Sequence, residues 1–96
     1  MNSTENILTV LIEENGEVVK EACKALRFGI DSEFEGETNR ESINREFIDL
    51  LGTYQLGVKM GVFDDLGLDL LPDWVYKEME NKMEKIKFYR EFSEKL

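Results

Sequence analysis

A chain of 96 residues with 21 acidic and 12 basic side chains, a formal net charge of −9, makes one small domain whose average surface repels nucleic-acid backbones and anionic membranes. One cysteine, Cys23, and no histidine exclude disulfide frameworks, Cys/His zinc sites and histidine-dependent nucleophilic catalysis. With 42 % hydrophobic and 34 % charged residues the chain is of the folded globular class, so any chemistry must come from carboxylates, lysines, arginines and water.

From about Thr4 to Phe28 the apolar positions Ile7, Leu8, Leu11, Val18, Ala22 and Leu26 recur at helical spacing. Asn2 followed by Glu5 resembles a capping box, and Gly29 supplies a stop. The polar start MNSTEN lacks the basic residues of a signal peptide and no apolar run reaches the length of a membrane span, so the cytoplasm is the expected location. Residues 30 to 37, IDSEFEGE, have no period and read as a loop. Thr38 and Glu41 fit a second capping box, opening a helix that runs to about Met60 before Gly61. Residues 62 to 71 read as turns, and Pro72-Asp73 starts a third helix with Val75, Met79, Met83 and Ile86 on one side. Nothing calls for a β-sheet. The expected architecture is all-α: one domain, residues 1–96, forming an antiparallel bundle of three to four helices.

Two acidic couplets, Glu14-x-x-Glu17 and Glu46-x-x-Asp49, lie inside the first two helical patterns. At about 100° per residue an i, i+3 pair shares one helix face, one turn apart. Around Glu14 fall Ile7, Val10, Leu11, Val18 and Ala25; around Glu46 fall Ile43, Leu50, Gly57 and Met60. Both couplets therefore sit at the edge of an apolar face, where an ionised group is costly unless it is paired or metal-bound. An ion pair with Lys24, Arg27, Arg40, Arg45 or Lys59, or exposure at the helix flank, would account for one such acid. Two couplets of matching spacing on successive helices point to an oxygen-only cluster suited to Mg²⁺ or Mn²⁺. A magnesium site in an acidic chain is compatible with a free nucleotide, because the bound metal reverses the local field.

Other residues carry weaker signals. Gly16, Gly52 and Gly57 lie inside predicted helices, either as tolerated weak points or as places of close approach. Cys23 reads as a small core residue. Asp64, Asp65 and Asp69 fail the EF-hand spacing and read as turn residues and caps. Phe28, Tyr54, Trp74 and Tyr76 read as core or interface aromatics rather than base-stacking ones.

The run Leu11-Ile12-Glu13-Glu14-Asn15-Gly16-Glu17-Val18, then Lys24-Ala25-Leu26-Arg27-Phe28-Gly29, then Glu46-Phe47-Ile48-Asp49-Leu50-Leu51-Gly52, resembles the MazG-type all-α nucleoside triphosphate pyrophosphohydrolases. That family pairs an E-E-x-G-E helix with an E-x-x-D helix. Phe47-Ile48 departs from its commoner pattern, which has a further acid and Leu-Gly before the aspartate. The resemblance implies that Glu14, Glu17, Glu46 and Asp49 coordinate magnesium and carry the catalysis. It also implies that a nucleoside triphosphate is cleaved to a monophosphate and pyrophosphate. Lys24, Arg27, Lys82, Lys85 and Arg90 become candidates for phosphate contacts. The first helix is apolar over more than half its circumference, which two short partners in one chain scarcely cover. A second copy is therefore expected, and the resemblance points likewise to a homodimer or a dimer of dimers. The rival expectation is a non-catalytic acidic helical module that binds a basic protein.

Overall fold

A computed structural model describes residues 1–68 and 70–95, with side chains as far as Glu91. Three helices dominate it: α1, Ser3–Phe28; α2, Asn39–Lys59; and α3, Asp73–Lys95. Between α1 and α2 lies a two-stranded antiparallel hairpin, β1 (Glu33–Phe34) and β2 (Glu37–Thr38), with Phe34 opposite Glu37 and Glu33 opposite Thr38. The chain forms two compact units, Met1–Asp64 and Asp65–Leu96.

In the first unit the helix ends form as their sequences dictate. The Asn2 side chain accepts from the Glu5 amide at 2.8 Å. Gly29, with φ of 103°, ends α1 while its amide donates to the Ala25 carbonyl. Thr38 and Glu41 form the reciprocal capping box that opens α2.

The hairpin corrects the loop expected over 30 to 37. Glu35 and Gly36 both adopt positive φ, 54° and 82°, the pattern of a two-residue turn whose twist suits paired strands. The strands are only two residues long, so no alternation marks them in the sequence, and Glu-Gly is not among the strong hairpin signals. The connection is tied to both helix ends: the Asn39 side chain donates to the Gly29 carbonyl at 2.8 Å, and the Arg40 amide to the Ile30 carbonyl at 2.9 Å.

The faces that α1 and α2 turn to each other can be read from burial. On α1 they are Ile7, Leu11, Glu14, Val18, Glu21 and Ala25, spaced alternately by four and three. On α2 they include Asn39, Ser42, Glu46, Leu50, Thr53 and Gly57. This is coiled-coil spacing, but the covered seam is largely polar: Glu21, Asn39, Ser42, Glu46 and Thr53 are buried, and Ile7 is the buried apolar side chain among those described in this unit. A second row on α1, Leu8, Ile12, Val19 and Leu26, is exposed one face away; its intervals are four, seven and seven, with Asn15 and Ala22 at the positions between. Cys23, expected in the core, is exposed beside it. The interior of α1 and α2 is given to acids and amides, which leaves the apolar face outward.

Gly57 is a point of close approach and the other two helical glycines are not. A Cβ there would clash with the ring of Phe63, which stacks on Tyr54 at 4.9 Å, whereas at Gly16 and Gly52 it would meet nothing within 4 Å. The Tyr54 hydroxyl donates to the Asp64 carbonyl, closing the end of the unit.

In the second unit the Asp65 side chain accepts from the Gly67 amide at 2.8 Å in a turn, as expected of a turn residue; Asp69 lies outside the described residues. Val75 on α3 is buried, while Trp74, Tyr76, Met79, Met83 and Ile86 are exposed.

Gly57→Ala should lose stability, because about 1–3 kcal/mol of overpacking strain exceeds its helix-propensity gain. Gly16→Ala should gain up to about 1 kcal/mol. Urea denaturation of the two variants decides this, and equal changes would contradict the packing described.

Candidate metal centre

The antiparallel pairing of α1 and α2 sets Glu14, at the middle of the first seam, against Glu46 in the second. Glu14, Glu46 and Asp49 each offer a carboxylate oxygen within 4.8 Å of the others. The three differ in setting: Glu46 is buried, at 7 % exposure, Glu14 is half-buried, and Asp49 is open to solvent. The cluster is therefore covered on the Glu46 side and open on the Asp49 side.

The cluster gathers like charges that are only partly compensated. Burial, and after it the charges of Asp49, Glu46 and Glu17, push the Glu14 carboxyl above its ordinary range. The resulting cost is present once the group is ionised, and a cation among the carboxylates offsets it. Glu46 has one countercharge, Arg45, whose guanidinium bonds it directly and also bonds Glu37 at 3.0 and 3.2 Å. The two carboxylates hold the Arg45 guanidinium well above its usual value. The ion pair anticipated for a lone acid is therefore present for Glu46, with Arg45 as its partner.

Glu17 is not one of the three converging acids. It is half-buried one turn along α1, and its carboxylate stands 3.9 Å from Lys20. Glu17 contributes through its charge on Glu14.

The basic residues proposed for phosphate contacts fall into two groups. Lys24 stands 3.4 Å from Glu21 and lies over the Phe34 ring, 5.5 Å from its centroid, and Arg27 lies over the neighbouring Phe28 ring at 5.6 Å. Lys82, Lys85 and Arg90 are exposed on α3, in the second unit.

Comparison with models of known protein families, with curated proteins and with solved structures finds no match. The site must be argued from its own residues. An oxygen-only donor set on two rigid helices, with one open side, has the chemistry of a magnesium or manganese site. The residues that sequence reasoning missed are Glu21 and Glu37. Glu21 continues the seam spacing of Glu14 and Val18 seven residues on, a period that was legible, whereas Glu37 depends on the hairpin for its position.

Glu37 supplies a pH test of the Arg45 bridge. Hydrogen bonds from Arg45, and then from Ser42, hold its carboxyl below the ordinary value of 4.5. A depressed folded value contributes stability above the unfolded pKa and loses it as pH falls through the folded one. The melting temperature of the native chain should exceed that of Glu37→Gln by a constant margin well above pH 4.5, and the margin should shrink below it. A margin independent of pH would contradict the bridge.

Proposed function

We propose that the chain is a MazG-like, magnesium-dependent nucleoside triphosphate pyrophosphohydrolase, working as a homodimer in the cytoplasm. The observation that carries this reading is the convergence of Glu14, Glu46 and Asp49 from two successive helices to within 4.8 Å. Glu14, Glu46 and Asp49 hold the cation on this reading, with Glu17 alongside on α1. A bound magnesium ion supplies neutralisation of the phosphates and a water acidified enough to attack at neutral pH. The attack falls on the α-phosphorus, breaking its bond to the bridging oxygen and releasing pyrophosphate and a nucleoside monophosphate. Arg45 fixes the rotamer of Glu46 and keeps one of its oxygens engaged, so the buried carboxylate is preorganised before a cation arrives.

Further support is electrostatic. The chain carries net negative charge and gathers three of its carboxylates at one point, an arrangement that a cation would stabilise. The dimer rests on the exposed α1 row of Leu8, Ile12, Val19 and Leu26. From Ile12 onward it repeats every seven residues, which keeps one stripe of the helix apolar and outward, and a second copy covers that stripe by helix packing. No helix among the described residues is long and apolar enough to cross a membrane, so this row is not part of a helical span.

Incubation with a panel of ribo- and deoxyribonucleoside triphosphates should release pyrophosphate and monophosphate in Mg²⁺ and not in chelator. Glu46→Gln should lower the rate by ~100-fold or more, in line with loss of a preorganised electrostatic group. No turnover of any nucleotide by the folded native chain would overturn the hydrolase reading and leave the acidic protein-binding module.

A further inference from the structure

Two helical turns along α1 from Glu14, about 10 Å at 1.5 Å per residue, the hairpin closes over the C-terminal half of the helix and leaves a cleft. Its apolar side, about 410 Å³, is lined by Lys24, Phe28, Ser32, Glu33, Phe34 and Asn39. Its polar side shares Lys24, Phe34 and Asn39 with the first and adds Glu21, Ser42 and Arg45. Aromatic walls with a few convergent polar groups, at this size, are the makings of a small-molecule site.

The polar groups are mostly committed. Arg45 is engaged by Glu37 and Glu46, the Ser42 hydroxyl donates to Glu37 at 2.7 Å, and Asn39 donates to Gly29. The exception is Glu21. It is 5 % exposed, and its Oε2 accepts no hydrogen bond even though Lys24 Nζ stands 3.4 Å away. A buried carboxylate oxygen short of a donor is costly unless a ligand supplies one. Lys24, about one-third exposed at its side chain, is the partner free to swing aside.

We propose that this cleft binds a guanine-type base, with Glu21 accepting from two adjacent N–H donors and Phe34 stacking on the ring. The charge of the lining decides against a phosphate group: four glutamates, Glu21, Glu33, Glu35 and Glu37, outnumber Lys24 and Arg45, each of which stands beside a glutamate. A carboxylate presents two acceptor oxygens side by side. Among the common bases guanine alone offers two adjacent donors, its ring N–H and its exocyclic amine. Adenine and cytosine place an acceptor next to their amine, and uracil flanks its single N–H with carbonyls. The exposed Phe34 ring gives any base a stacking surface, and Glu21 supplies the selection. The inference deepens the hydrolase reading and rests on it for its meaning: the acids at one end of the groove would take the phosphates, and the cleft at the other end the base.

The binding itself can be tested without metal, phosphate or turnover. Guanosine titrated into isotope-labelled native chain in chelator should shift the amide resonances of Glu21, Lys24, Phe34 and Asn39. Inosine, which lacks the exocyclic amine, should bind on the order of ten-fold more weakly. Glu21→Gln should lose guanosine binding by a similar factor, Phe34→Ala should weaken guanosine and inosine alike, and Asn15→Ala, an exposed position of α1, should leave both unchanged. That pattern supports the proposal whether or not the chain hydrolyses triphosphates. No shift at these residues with guanosine, equal response to guanosine and inosine, or unchanged guanosine binding in well-dispersed Glu21→Gln would each overturn it.

Discussion

The desolvation of Glu14 and Glu46 between α1 and α2 is the constraint on which the rest of this structure depends. Taking a carboxylate out of water costs several kcal/mol after relaxation, and a buried ion pair is often no more stable than a well-packed apolar one of the same size. Acids at the centre of a helix seam are therefore a poor choice for stability. On the proposed reading a cation would offset part of that cost, and Arg45 offsets part by pairing with Glu46. Its fork binds Glu46 inside the seam and Glu37 on the hairpin at once, so one side chain couples the charge state of the cluster to the position of β2.

That choice shapes the outside of the molecule as well. The seam positions of α1 and α2 that an apolar core would occupy are taken by Glu14, Glu21, Asn39, Ser42, Glu46 and Thr53. Ile7, Leu11, Val18 and Ala25 share the seam with the acids, and Leu8, Ile12, Val19 and Leu26 form an exposed row on the next face of α1. Polar burial inside and apolar exposure outside are two sides of one sequence pattern. Of these two adjacent faces of α1, the one with alternating four-and-three spacing packs on α2 and the other is exposed.

Much of this was legible in the sequence, for identifiable reasons. The three helices and their ends followed from period and caps: Asn2, Gly29, Thr38 with Glu41, and Pro72-Asp73 all sit where their backbone chemistry requires. Glu14, Glu17, Glu46 and Asp49 were singled out because an i, i+3 acid pair at the edge of an apolar face is unusual; pairing the two helices in antiparallel fashion brings together Glu14, Glu46 and Asp49 and leaves Glu17 one turn aside. The hairpin was not legible, since strands of two residues have no period and Glu35 adopts a positive φ that non-glycine residues seldom take. Cys23 was misplaced because a helical wheel shows which residues share a face and not which face is covered. The wheel put Glu14 and Cys23 on opposite sides, and the side with the acids is the one that packs on α2. Glu21 was not among the candidate site residues because it belongs to neither acidic couplet, although its seven-residue spacing from Glu14 places it on the buried face.

The central claim is that the buried acids exist to hold a divalent cation. Anomalous diffraction from crystals of the native chain grown with Mn²⁺ tests it most directly. The account predicts a peak within coordination distance of Glu14, Glu46 and Asp49, with Arg45 still bonded to Glu37. Ordered carboxylates with no anomalous density among them at millimolar Mn²⁺, or a peak bound only elsewhere on the acidic surface, would contradict it.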